Sequence, residues 1–287
     1  MESKEWINDN CVYSNNQFLG HPTTIFHGIA YDVYRIGTIL EKGILSAENA
    51  KKELKDKYSE NAPVFNKANK ISVCSSTGRN KDDGYHAFNI WIKNGISFVI
   101  VGEKVFEAMR NSHESIRPDE SIVYDKIKPD DIVGIMLPRE SLSKKVSELN
   151  ANLDNTAIEQ GEPTWFLRKL EYIFKYLKDD LGYVADYTDV IREIKDIISK
   201  PNDESIESGM EMFSLVMEVA TNRLNKIMQN HIAKAYSKKL GKKDVRLIDV
   251  IEMYNKKELP VYDVEDGIEI DLKEIIKEID RNTGPEL

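Results

Sequence analysis

Apolar residues fall along this chain in two different rhythms. As far as residue 137 they come in short runs of β-branched and aromatic side chains, bounded by polar or turn residues, over residues 24–26, 71–75, 96–101, 121–125 and 132–137. Such runs predict strands, because branched and aromatic side chains pack well on a pleated surface. Between some of them the spacing changes to three and four. Residues 31–42 set Val33, Ile36, Ile39 and Leu40 on one face and stop at Gly43, which predicts a helix closed by a glycine cap. Residues 85–93, with Phe88, Trp91 and Ile92 together, and residues 103–110 predict two further helices.

From about Pro138 the helical rhythm takes over. Residues 139–149 are charged and sparsely apolar. Residues 165–177 place Phe166, Leu170, Ile173, Phe174 and Leu177 on one stripe, and residues 190–198 repeat the spacing until Pro201-Asn202-Asp203 breaks it. Residues 210–240 form a long helical stretch with apolar positions on more than one side, as in the central helix of a bundle. Residues 245–254 and 272–279 follow, and Asn282-Thr283-Gly284-Pro285 reads as a tail. The fold class expected is α+β, with a sheet-bearing domain over residues 1–140 and an all-α domain over 141–287. The polar stretch 153–163 reads as a connection.

Composition narrows the setting. At 287 residues the chain has ample core for one large or two modest domains, and 41% hydrophobic with 31% charged residues is globular rather than disordered. No run of about 18 apolar residues offers a membrane span. The polar start Met1-Glu2-Ser3-Lys4-Glu5 carries no ordinary secretory signal, so the expected location is cytoplasmic, or a host cell reached by a specialised secretion machine. Cys11 and Cys74 fit a reducing compartment and make no metal-ligand spacing; Cys74 reads as a small buried residue of a strand. A net charge of −9 argues against a broad nucleic-acid surface. The local exception is residues 234–246, with Lys238, Lys239, Lys242 and Lys243. A solvated helix end is the plain reading of it, and docking of a target the other.

Candidate chemistry sits in the first half. Ile25-Phe26-His27-Gly28 ends an apolar run in His-Gly. Lys70-Ile71-Ser72-Val73-Cys74-Ser75-Ser76-Thr77 is followed by a helical pattern containing Tyr85, and Asp119-Glu120-Ser121-Ile122-Val123-Tyr124-Asp125 opens a strand with a carboxylate. Phe26-His27-Gly28, followed by Ile36, Ile39, Leu40 and then Gly43-Ile44, resembles the opening of the ADP-ribosyltransferase fold, in the branch shared by diphtheria toxin and the poly(ADP-ribose) polymerases. The Glu120 segment resembles that family's glutamate strand, with matches at the Glu, the Ile-Val-Tyr and the Asp. The resemblance covers roughly residues 20–137 and stops short of the helical half.

The resemblance implies a split-sheet catalytic domain that takes NAD as substrate, uses no metal, releases nicotinamide and transfers ADP-ribose, as in a bacterial toxin or effector. It implies Glu120, His27 and Tyr85 as catalytic residues and His27, Gly28, Ser72, Ser75 and Tyr85 as NAD-binding ones. Breaking the nicotinamide–ribose bond builds positive charge on the ribose, which a fixed carboxylate such as Glu120 stabilises. His27 is expected to donate a hydrogen bond to a ribose hydroxyl, and Gly28 to let the backbone approach a flat ring. Tyr85 would stack on nicotinamide. Ser75-Ser76-Thr77 is the competing middle element, similar to the Ser-Thr-Ser strand of the arginine-modifying toxins. Those and the asparagine-modifying enzymes carry a Glu or Gln two residues before the catalytic glutamate, where this chain has Pro118. The expected acceptor is a protein, with a nucleic acid as the other macromolecular class. The helical domain is the expected contact for the target, a host factor or an antitoxin. An NAD hydrolase and a non-catalytic interaction protein of the same fold are the alternative readings.

Overall fold

The computed structural model describes residues 24–53, 69–74, 92, 94–111, 120–149, 173–174, 176–184, 188, 192 and 211–282. In chain order the strands are β1 (Ile25–Gly28), β2 (Ile44–Leu45), β3 (Lys70–Cys74), β4 (Ser97–Ile100), β5 (Glu120–Tyr124), β6 (Lys126–Ile127), β7 (Ile132–Leu137) and β8 (Val261–Asp263). The helices used below are α1 (Ile36–Lys42), α2 (Ala47–Glu53), α3 (Glu103–Arg110), α4 (Glu211–Leu240), α5 (Leu247–Tyr254) and α6 (Leu272–Asn282). Among the described residues, no helix is long and apolar enough to cross a membrane.

The described residues divide into two units, one taking residues 24–50, 69–144 and 246–282 and the other residues 51–53 and those within 145–245. The first unit carries a mixed α/β arrangement on a six-stranded sheet, counted among the described residues, in the order β5–β3–β1–β4–β7–β8. Every junction is antiparallel except β7–β8, which is parallel. All four residues of β4 are buried, the polar Ser97 included, which is why this central strand shows no alternation of buried and exposed positions. Phe26, Cys74, Val99, Met136 and Tyr262 from five strands meet in one core cluster with Ile92 and Val264.

The five strands expected from the pattern are present as β1, β3, β4, β5 and β7, with bounds displaced by at most two residues among the described positions. Three others left too little pattern to be read. β2 and β6 are two residues each and pair only with one another, Ile44 opposite Ile127 and Leu45 opposite Lys126. β8 is a three-residue strand that pairs Val261, Tyr262 and Asp263 with Ile135, Met136 and Leu137. Its position corrects the expectation of helix throughout from Pro138. Residues 246–282, assigned by pattern to the helical half, belong to the sheet-bearing unit. The helix expected over residues 139–149 is instead two 3-10 turns, Arg139–Ser143 and Val146–Glu148, interrupted by the extended Lys144 and Lys145.

In the second unit the C-terminal part of α4 buries Met228, Ile232, Ala235 and Tyr236 at helical spacing and packs on the Val146–Glu148 turn. The Val146 N–H closes this turn onto the Val245 carbonyl at 2.9 Å. The helices expected over residues 85–93 and 190–198 and most of the one over 165–177 lie outside the described residues.

Two glycines are dictated by close approach. Gly43 ends α1 at φ +87°, and a Cβ there would stand 2.1 Å from the Ile127 carbonyl oxygen. At Gly95 a Cβ would stand 2.3 Å from Ala30 Cα, where the Ile96 N–H meets the Ala30 carbonyl at 2.7 Å and the Ile29 N–H meets the Ile96 carbonyl at 2.9 Å. These two bonds continue the β1–β4 pairing past Gly28. Gly95→Ala should therefore force the strand ends apart and lower stability by about 1–3 kcal/mol. Urea unfolding checks this, and a midpoint unchanged from the parent would contradict the close approach.

Candidate functional site

The sheet is not equally bonded along its width. β1 and β4 share four paired positions and β3 and β5 share five, but among the described residues β1 and β3 pair only at Phe26 opposite Cys74. Past that point the two strands part. The next cross-strand bond comes from a side chain, as His27 Nδ1 lies 2.9 Å from the Ser72 carbonyl oxygen.

A cleft of about 210 Å³ opens at this parting. β1 supplies Phe26, His27 and Gly28 to its lining, β3 supplies Ser72, Val73 and Cys74, and β5 supplies Glu120. Pairing of Phe26 with Cys74 and of Cys74 with Glu120 sets these three residues in one row across the sheet. From ordinary strand spacing, Glu120 stands roughly 10 Å from β1 along that row. Strand alternation assigns His27 and Glu120 to opposite faces. Both residues nonetheless line the same cleft, and the His27 ring reaches toward β3 through its bond to Ser72.

The proton on His27 can be placed. A carbonyl oxygen only accepts, so Nδ1 must donate to Ser72. Burial holds the His27 pKa down at about 4, with the Arg35 charge adding to the effect and the Ser72 bond opposing it. The ring is therefore neutral near pH 7, and Nε2 carries a lone pair. Nε2 is buried and has no hydrogen-bond partner among the described residues. In that state Nε2 is an acceptor and not a donor. The sequence expectation is that His27 donates to a ribose hydroxyl; with Nδ1–H bonded to Ser72, Nε2 of the neutral ring would accept instead.

Glu120 is half-buried and opens β5, the strand at the edge of the sheet. An edge strand leaves one row of backbone groups without a ladder, and α3 meets that row with side chains. Lys104 Nζ donates to the Tyr124 carbonyl at 2.6 Å, and Glu107 accepts the Tyr124 N–H at 2.6 Å. Asn111 donates to the Ile122 carbonyl at 3.0 Å, and Ser121 Oγ donates to the Ala108 carbonyl. Lys104 and Glu107 are themselves paired at 2.7 Å. At the other end of β5, Asp125 turns the chain into β6 at φ +64°, a conformation that Asp tolerates better than most residues. Its carbonyl accepts the Ser46 N–H at 2.9 Å. The Ile-Val-Tyr-Asp run is thus occupied in holding β5 in place.

Of the residues singled out in sequence, the structure brings together His27, Gly28, Ser72 and Glu120. Tyr85 and Ser75 lie outside the described residues. Cys74 is buried as expected and also lines the cleft, a double role that its place in a strand pattern does not signal. Arg35 was not anticipated; its charge beside His27 is visible only once the 3-10 turn Val33–Arg35 is in place. Among the described residues, no group of three or more His, Cys, Asp or Glu side chains could hold a metal ion. No protein-family model, curated protein or solved structure matches this chain.

Two outcomes are expected. Glu107→Ala should leave the Tyr124 N–H without its acceptor and destabilise the unit by about 1–3 kcal/mol. Amide exchange at Tyr124 should quicken in that variant while exchange in β4 changes far less, and equal quickening in both strands would sink the idea of a local clamp. For His27, a depressed folded pKa means that the unfolded chain takes up the proton first. Its contribution to stability is complete above 6.5 and drains as pH falls toward about 4. The His27 C2 proton should titrate near the lower value, and His27→Gln should flatten that part of the stability curve. A parallel decline in parent and variant would contradict the burial.

Proposed function

We propose that this chain cleaves NAD and transfers ADP-ribose to a macromolecular acceptor, as a mono-ADP-ribosyltransferase. The observation that carries this reading is the single cleft at the β1–β3 parting, lined by His27-Gly28, Ser72 and Glu120. These residues come from three neighbouring strands that follow one another across the sheet in their chain order, as β1, β3 and β5. The resemblance noted in the sequence names the same segments.

The chemistry of the lining suits one end of NAD. At about 210 Å³ the cleft is smaller than the roughly 300–1,000 Å³ typical of sites that enclose a drug-sized ligand. It therefore has room for a nicotinamide–ribose end and not for a whole dinucleotide. His27 Nε2, an acceptor with no partner among the described residues, suits a donor, and a ribose hydroxyl is one. Gly28 offers backbone with no Cβ in front of it, fit for a planar carboxamide. Glu120 supplies negative charge where departure of nicotinamide leaves the ribose electron-poor, and the α3 clamp fixes the strand that carries it. The same carboxylate can orient an acceptor nucleophile for attack once nicotinamide has left. Ser72 is exposed at the cleft mouth, so it borders the site without crowding it.

Free nicotinamide, followed during incubation of the full chain with NAD, tests the reading. Release that depends on added lysate proteins, with label from NAD appearing on protein, is the expected result. Release without any acceptor would make the chain an NAD hydrolase, and no release under either condition would overturn the enzymatic reading. Glu120→Gln should lower release by about 100-fold or more, since the lost charge acts mainly in the transition state. NAD should still raise the melting temperature of that variant. Unchanged turnover would remove Glu120 from the chemistry.

A further inference from the structure

The second unit holds a charge pattern that folding does not explain. Residues 219–243 contain seven basic and no acidic side chains, in a chain whose net charge is −9. Within α4, Lys226, Asn230, Lys234 and Lys238 recur every fourth position, and all four are exposed. They form one stripe, about 18 Å long at the rise of an α-helix. Met228, Ile232 and Ala235 are buried, and Lys226, Asn230 and Lys234 lie half a turn round the helix from them. Lys239, Lys242 and Lys243, exposed as well, extend the basic surface past the end of the helix.

Stability alone would not place these lysines here. Lys238 and Lys239 in the last turn favour the negative end of the helix dipole, but Lys226 and Lys234 lie well before it. Like charges four apart, as at Lys234 and Lys238, destabilise a helix. No ion pair satisfies Lys226, Lys234 or Lys238 among the described residues, although acidic side chains outnumber basic ones in the chain.

We propose that this stripe of α4 docks an acidic surface of another protein. Charge decides the class of partner. Because residues 219–243 are wholly basic, the remainder of the chain is more acidic than the total, and it repels a long polyanion that extends past the stripe. An acidic protein patch of matching length meets attraction at the stripe and repulsion elsewhere, which orients it. Tyr236 lies on the buried face of α4, and no large hydrophobic residue is exposed among residues 225–240. The stripe thus lacks both a stacking platform for bases and an apolar edge for a bilayer. This inference does not rest on the reading of the cleft, since docking is measured without NAD.

The test uses the full chain and a labelled helical peptide of roughly 20 residues, about 30 Å long, with Glu at every fourth position and Ala between. Binding is read by fluorescence anisotropy at about 50 mM salt, where exposed charges are only partly screened. Lys226→Glu, Lys234→Glu and Lys238→Glu together should weaken binding by about tenfold or more. Lys128→Glu, Lys256→Glu and Lys273→Glu together make the same charge change on exposed residues of the first unit and should alter it by less than about twofold. If the first variant does not keep the parent's melting temperature, the Lys→Gln triple at the same positions is read by the same comparison. Equal losses in the two triples would overturn the proposal, as would tighter binding of duplex DNA than of the peptide. Self-association of the parent that the α4 triple abolishes would also overturn it, by assigning the stripe to a second copy of the chain.

Discussion

A single hydrogen bond, from His27 Nδ1 to the Ser72 carbonyl, organises the sheet-bearing unit. Where β1 and β3 part, a ladder bond would have used backbone on both strands and left no space between them. The imidazole spans the gap instead, tying the strands while keeping them apart. The same bond dictates which ring nitrogen is protonated, and burial beside Arg35 keeps the ring neutral. Architecture and chemistry thus meet in one side chain. The cleft lies where the described ladder stops, and Nε2 of the same ring has no hydrogen-bond partner among the described residues.

The second requirement is that β5 stay in place at the edge of the sheet. Its inner side is secured by five pairings with β3, and its outer side by Lys104 and Glu107 of α3, by Asn111 just past it, and by the bond from its own Ser121 to the Ala108 carbonyl. Glu120 begins this strand, so its position is inherited from bonds made further along. A carboxylate on a loose edge would relax around any charge placed near it. One on a strand gripped from both sides presents a charge that is already oriented, which is the condition for electrostatic stabilisation to be effective.

The parts of the fold legible in sequence were those with a long or apolar signature. β4 and β7 are buried runs, and α1 announces itself by its stripe and by Gly43. Elements of two or three residues, such as β2, β6 and β8, carry no period, and only tertiary pairing makes them strands. Residues 139–149 are expected to be helical as part of the stretch after Pro138, but Lys144 and Lys145 are extended between two 3-10 turns. At the site, His27-Gly28 and Glu120 could be singled out from motif context, since both sit where strands begin or end. The tautomer of His27 could not, because it depends on a carbonyl supplied by another strand. Nor could the lysine stripe be separated from an ordinary helix end until burial showed which positions of α4 face inward.

The parallel strand β8 gives the sheet-bearing unit a discontinuous origin in the chain. Its pairings with β7 join residues as remote in sequence as Ile135 and Val261, with the whole of the second unit's longest helix threaded between them. Contacts of such separation form slowly, because a large loop must close before they contribute. A chain emerging from the ribosome with β1 to β7 already exposed still lacks the strand that covers β7. The cleft-bearing unit therefore completes its sheet only after α4 has been synthesised, and the order of synthesis sets when β7 gains its outer neighbour.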